Sequence, residues 1–276
     1  MNVLRRIAAN AVDVLHEGAY YRALDLGDAI RAVRVRQSSE RSVTLETTAR
    51  DAGAVTPVIR RMLGLDAPVP GWPERAAAVD WLAPLAERCR GLRPPRYPSL
   101  WEACAHAVIF QQISIYAAGS IMRRLVERYG SRVTVDGVDL RAFPAASTVA
   151  AETESALRAA GLSANKVAHL QAIAHALERG EISEAQIERL PTPEAAQRLT
   201  MLRGIGPWSA AVILLRGFGR LDTFPMNDSG VAVSIKRIAG TASVNVDGVL
   251  QELGPVRGFL YYHLLLGRNL DGALAD

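Results

Sequence analysis

Residues 202–230 read LRGIGPWSAAVILLRGFGRLDTFPMNDSG, and this stretch decides the fold. Gly204 and Gly206 flank a single isoleucine, Pro207 follows at a position suited to a first helical turn, and Ser209, Ala210 and Ala211 open an apolar helical run. With PEAAQRLTML (193–202) on its other side, the segment reads as helix, tight hairpin, helix. Glycine permits positive φ and close backbone approach, and proline fits the start of a helix. The outcome is a set of backbone N–H groups at a helix N-terminus with no side chains in the way. Such a surface accepts phosphate oxygens, helped by the helix dipole, and reads no base sequence. A lone G-x-G is equally well explained as an ordinary turn between helices. What distinguishes this one is the loop FPMNDSG (224–230), which places one carboxylate, Asp228, about twenty residues beyond Trp208.

The rest of the composition narrows the classes. The chain has 276 residues, enough for one large domain or two ordinary ones, and 49% of them are hydrophobic, ordinary for a soluble globular protein. Its longest apolar runs, such as AAVILL, are too short for a bilayer, and Asp13, His16 and Glu17 interrupt the N-terminal apolar stretch, so no signal peptide is read and a cytoplasmic location is expected. Two cysteines, Cys89 and Cys104, exclude a cysteine-built zinc or iron–sulfur centre, and five scattered histidines have no zinc spacing. The net charge of +4 permits nucleic-acid binding without demonstrating it. Lys166 and Lys236 are the only lysines; the excess of arginine is first a sign of GC-rich coding DNA.

Along the chain, YYRALDL (20–26), IRAVRVRQ (30–37) and SVTLETT (42–48) alternate and are rich in β-branched or aromatic residues, which predicts three strands of a small antiparallel sheet. VTPVIRRMLGLD has helical spacing at Val58, Ile59, Met62 and Leu63, stopped by Gly64. The proline-rich GLRPPRYPS (91–99) is the clearest linker. After it the β signal fades. Residues 100–130 form a long amphipathic pattern, broken near Gln112–Ser114, and helical patterns continue to the end. The expected fold class is α+β: an N-terminal antiparallel-sheet domain over 1–92 and a mostly helical, two-lobed domain over 93–276.

The pattern L-x-G-I-G-x-x-[ST]-A, paired with Asp228 at this distance, resembles the helix-hairpin-helix (HhH-GPD) DNA glycosylases. Within that superfamily the chain is most similar to the 3-methyladenine DNA glycosylase II branch, over nearly its whole length: YYRALDL resembles the branch's N-terminal sheet, GLRPPRYPSLWEACAHAVIFQQIS its entry into the helical part, and GLSANKVAHL its middle helices. The resemblance implies a monofunctional glycosylase that flips an alkylated purine such as 3-methyladenine out of duplex DNA and hydrolyses its N-glycosidic bond, in base excision repair. Its partner would be damaged double-stranded DNA of the nucleoid, bound by a monomer away from any membrane.

The resemblance also assigns roles. Asp228 would be the catalytic carboxylate, staying ionised to stabilise positive charge developing on the sugar and to activate water. Helix N-capping is a second role open to it, and the two are compatible. Trp208 would offer a ring face to a cationic base, or simply pack between helices. The endonuclease III branch carries its Schiff-base lysine at this hairpin position, so tryptophan here disfavours a lyase. Ile113 would be the wedge filling the gap left by the flipped base, with Gln112 beside it; on pattern alone Ile113 also suits a helical core. Gly204, Gly206 and Arg257 would contact DNA phosphate, although Arg257 also fits a solvated helix start. No cofactor is implied beyond a structural Na⁺ or K⁺ at the carbonyls of Thr200, Leu202 and Gly204, and no iron–sulfur cluster. Ser229, Val212 and Val256 stand where relatives often carry larger or aromatic residues, which leaves the lesion range open. Two other readings stay open: a glycosylase of this fold for deaminated or oxidised bases, and a non-catalytic DNA-binding protein.

Overall fold

The computed structural model of the chain describes residues 12–39, 42–240 and 244–270, the last five of these by their backbone alone. In chain order the elements are β1 (Val14–His16), β2 (Ala19–Asp25), β3 (Ile30–Ser39), β4 (Ser42–Glu46), α1 (Ala52–Met62), α2 (Trp72–Ala77), α3 (Ala83–Arg88), α4 (Leu100–Ile109) and α5 (Ile115–Tyr129). There follow β5 (Arg132–Val135), β6 (Val138–Arg141), α6 (Ala146–Ala151), α7 (Glu154–Ala159), α8 (Ala164–Glu178), α9 (Glu184–Arg189) and α10 (Thr192–Thr200). The chain continues with α11 (Pro207–Phe218), α12 (Ser229–Ala239), α13 (Val246–Leu253), a 3₁₀ turn at Gly254–Val256, and α14 (Gly258–Leu270). The α+β class and the mostly helical second part agree with expectation. Part of the N-terminal stretch read against a signal peptide, residues 1–11, lies outside the described residues. Among the described residues no helix is long and apolar enough to cross a membrane.

These elements form two compact units, each discontinuous in sequence, and the expected boundary at 92–93 falls inside the second. Of the described residues, the first unit holds 12–39, 42–60, 98–186 and 202–204; the second holds 61–97, 187–201, 205–240 and 244–270.

In the first unit β1–β4 make an antiparallel meander in sequence order. The three expected strands are present, and β1 adds a fourth through a turn at Glu17 and Gly18, both at positive φ. The expectation that β structure ends at the linker is corrected by β5 and β6, an antiparallel hairpin closed by Asp136–Gly137, again both at positive φ. Its sequence, VTVDGVDL, pairs alternation with Asp-Gly, the turn whose twist matches that of the flanking strands. Ala19, Tyr21 and Ala23 of β2 share a core with Leu140 and Ala142. Beneath the sheet Arg22 is buried: its Nη1 donates to Asp13 Oδ1 at 2.6 Å, and its Nη2 donates to both Glu102 oxygens at 2.6 Å. Glu102 sits in the first turn of α4, whose N-cap is Ser99. The pair fastens the sheet to that helix, and removing Arg22 would leave the buried Glu102 carboxylate without its cation.

In the second unit the core gathers Trp72, Leu82, Leu85, Leu215, Leu253, Phe259, Leu260 and Leu264, among others. His263 lies inside it, with Nδ1 3.0 Å from the Phe259 carbonyl and its ring 4.5 Å from that of Trp72. Burial pushes its pKa down to about 4 from the ordinary 6.5. The folded state therefore holds this imidazole neutral, while the unfolded chain takes up a proton below pH 6.5. Stability from this group is full above pH 6.5 and falls as pH drops toward 4, by about 3 kcal/mol once both states are protonated. Thermal melting across pH 7 to 4 should show this limb in the wild type and a shallower one in His263→Gln; identical limbs would contradict the assignment.

Candidate active site

The hairpin between α10 and α11 forms as its residues dictate, and its two glycines serve different ends. Gly204 adopts φ +87°, and a Cβ there would fall on the His169 ring of α8. Gly206 is extended at φ −94°, ψ −178°, and a Cβ there would meet nothing within 4 Å. Gly204 is thus required by packing, whereas the space beside Gly206 is open. Gly206 is the N-cap of α11, Pro207 begins the helix, and no side chain caps it. The positive end of the dipole of α11 is therefore met by no side-chain cap.

Three groups converge on Asp228 within the second unit. Phe224 and Pro225 are buried and anchor the loop, Asn227 turns the chain at φ +60°, and Asp228 caps α12. Its Oδ1 accepts the Val231 backbone N–H at 3.0 Å. Its Oδ2 accepts the Trp208 indole N–H at 3.1 Å, and the Tyr261 hydroxyl lies 3.5 Å from the same oxygen, long for a hydrogen bond. The N-cap role is therefore real. One oxygen is fixed by the helix, and the other is turned toward two aromatic side chains. The carboxylate is half-buried, and both of its oxygens face hydrogen-bond donors.

Trp208 thus does more than pack: its N–H orients the carboxylate. Val212 and Val256 are buried, at 5% and 4% exposure, and Ser229 is exposed. Tyr261 of α14 brings a further aromatic side chain to Asp228 and stands edge-on to Phe224, with ring centroids 6.3 Å apart. Sequence reasoning missed Tyr261, because its meeting with Asp228 spans 33 residues and leaves no local spacing signal. Arg257 donates from Nε to the Asp222 carbonyl at 2.8 Å, which pins the loop after α11. Thr200 donates from its hydroxyl to the Gln197 carbonyl at 2.8 Å.

The first unit holds the other group. The long helical pattern is broken as expected: α4 ends at Ile109, residues 110–114 turn, and Ser114 caps α5 by accepting Ala117 N–H at 3.2 Å. Gln112 takes φ +57° at this turn and is exposed. Ile113 lies in the turn at 37% exposure, so the alternative of a helical core residue does not hold. Gln111, which the sequence did not single out, donates from Nε2 to the Gly204 carbonyl at 2.9 Å. Lys166 Nζ donates to the carbonyls of Val108, Ile109 and Gln111 at 2.7, 2.9 and 2.9 Å. The structure therefore joins Asp228 with Trp208 and Tyr261 in one unit, and joins Gln112 and Ile113 through their turn to Gly204 in the other.

Residues 105–255 match the family model for the HhH-GPD superfamily base excision DNA repair protein. A DNA-3-methyladenine glycosylase of Bacillus subtilis is 30% identical over 178 residues, covering 64% of this chain and 59% of that one. A Mycobacterium tuberculosis protein, described as a probable bifunctional transcriptional activator/DNA repair enzyme AlkA, is 29% identical over 242 residues, covering 86% of this chain and 48% of its own. The chain thus spans between about half and three-fifths of these two relatives' lengths. Among solved structures, the 3-methyladenine DNA-glycosylase from Archaeoglobus fulgidus superposes with a TM-score of 0.83 at 25% identity, covering 98% of this chain and 94% of that one. Both the hairpin and the Asp228 loop fall within the matched region, and the chain belongs to the HhH-GPD superfamily of base excision DNA repair proteins.

Proposed function

We propose that the protein is a monofunctional DNA glycosylase that hydrolyses the N-glycosidic bond of alkylated purines, 3-methyladenine among them, in duplex DNA. The observation that carries this reading is the geometry of Asp228: a carboxylate fixed through Oδ1 by α12, with Oδ2 facing the Trp208 indole N–H and the Tyr261 hydroxyl.

The open N-terminus of α11 at Gly206 takes a backbone phosphate. The turn bearing Gln112 and Ile113 enters the base stack, and the target nucleotide leaves it. As the glycosidic bond lengthens, the sugar gains positive charge, which Asp228 stabilises while orienting the incoming water. An alkylated purine is already cationic, so it departs without a general acid, and an aromatic face holds it by roughly 0.5–2 kcal/mol. Arg257 would add a phosphate contact from the guanidinium whose Nε holds the Asp222 carbonyl. A monovalent cation would be held by the carbonyls of Thr200, Leu202 and Gly204; Gly204 already accepts Gln111, and its second lone pair leaves it able to take part. The protein would work on DNA in the cytoplasm, as a monomer.

The test is base release from methylated duplex DNA with products separated by chromatography, alongside borohydride trapping. Free 3-methyladenine and no trapped protein–DNA adduct are expected. No release from methylated DNA, with release from duplexes carrying oxidised or deaminated bases, would move the assignment to another lesion class. No release of any base would favour a DNA-binding role, and a trapped adduct would show lyase chemistry.

A further inference from the structure

Lys166 is one of two lysines in the chain, and nothing in the proposed chemistry uses it. It stands in the first turn of α8, half-buried, with its ammonium donating to the carbonyls of Val108, Ile109 and Gln111. Helix ends leave their last carbonyls without intrahelical partners and carry the negative end of the dipole. One cation thus closes the C-terminus of α4 and fixes where the chain leaves it. The residue at that exit, Gln111, then reaches with its side-chain amide to the Gly204 carbonyl. One turn along α8 from Lys166, His169 lies directly under Gly204, where only a residue without Cβ fits. A single helix therefore carries both the turn that holds Gln112 and Ile113 and the glycine of the hairpin.

We propose that Lys166 and Gln111 are positioning residues that set the 110–114 turn against α8 and the hairpin before DNA arrives, so that the wedge meets the duplex already in place. This rests on the glycosylase reading for its consequence, though not for its structure. A wedge on a loose turn would spend part of each encounter misplaced, and small misplacements are costly to catalysis. The clasp acts through Gln112 and Ile113 and makes no contact with the substrate itself.

The experiment is hydrogen exchange on the free full-length protein, wild type beside Lys166→Met and Gln111→Ala, followed by single-turnover base release and binding to undamaged duplex. In Lys166→Met, amides of 108–116 should exchange at least about tenfold faster while distant segments are unchanged. In Gln111→Ala the same segment should loosen, with residues 202–206. Base release should fall at least about tenfold in both, with affinity for undamaged duplex held within about twofold. Unchanged exchange at 108–116 overturns the clasp. So does a fall in release matched by an equal fall in affinity, which would make Lys166 a direct phosphate contact. If Lys166→Met does not fold, as a melting curve would show, Gln111→Ala decides by the same criteria. Because exchange is read without substrate, absence of base release in the wild type would sink the glycosylase reading while the clasp is still judged.

Discussion

Asp228→Asn should lower single-turnover base release by at least about 100-fold while leaving duplex affinity within about twofold, as expected when a group acts on charge in the transition state. Asparagine is nearly the same size and a good N-cap, so its amide oxygen keeps the Val231 N–H bond and α12 stays in place. What is lost is the negative charge. The amide nitrogen would also face the Trp208 N–H where Oδ2 now accepts it, so the indole loses its partner without losing its packing. Alanine would be a poorer probe, since it removes cap and charge together. Rates measured under enzyme excess, with affinity by fluorescence anisotropy on the same duplex, separate the two effects. Wild-type rates in the variant would sink the catalytic assignment and leave Asp228 a helix cap.

Gly206→Val should weaken binding to damaged and undamaged duplexes alike, by about tenfold, because the contact it blocks is with phosphate. The position suits the test because its backbone is extended and a Cβ meets nothing within 4 Å, so the folded chain has room for the side chain. Loss of a glycine N-cap should cost no more than about 1 kcal/mol. Gly204 cannot serve, since φ +87° and the His169 ring would make any substitution a folding defect. Unchanged affinity in Gly206→Val would place the phosphate contact elsewhere. Loss of affinity for damaged duplex alone would mean that the hairpin senses the lesion.

These two residues were also the ones most legible in the sequence, because a glycine hairpin, a helix-start proline and a capping aspartate are local features whose physics fits within a few residues. The break near Gln112 was legible for the same reason. Contacts between distant segments were not. Tyr261 reaches Asp228 from α14, and Lys166 reaches α4 from α8 across more than fifty residues, so no spacing in the chain announces either. The β5–β6 hairpin is different: Val133, Val135, Val138 and Leu140 around Asp136–Gly137 carry a local signal, which the helical surroundings obscured. The discontinuity of the two units, with the N-terminal sheet joined to 98–186, is likewise a property of packing, and the proline-rich linker marks its crossing at 97–98.

In the proposed chemistry Asp228 faces positive charge on the sugar of a flipped nucleotide. Its most direct test compares two duplexes, one with a cationic pyrrolidine in place of the target sugar and one with a neutral tetrahydrofuran. A site complementary to the transition state binds its charged mimic more tightly, by about 100-fold or more. The wild type should show that preference, and Asp228→Asn should lose it. Equal affinity of the wild type for both duplexes, or a preference surviving in Asp228→Asn, would contradict the proposal.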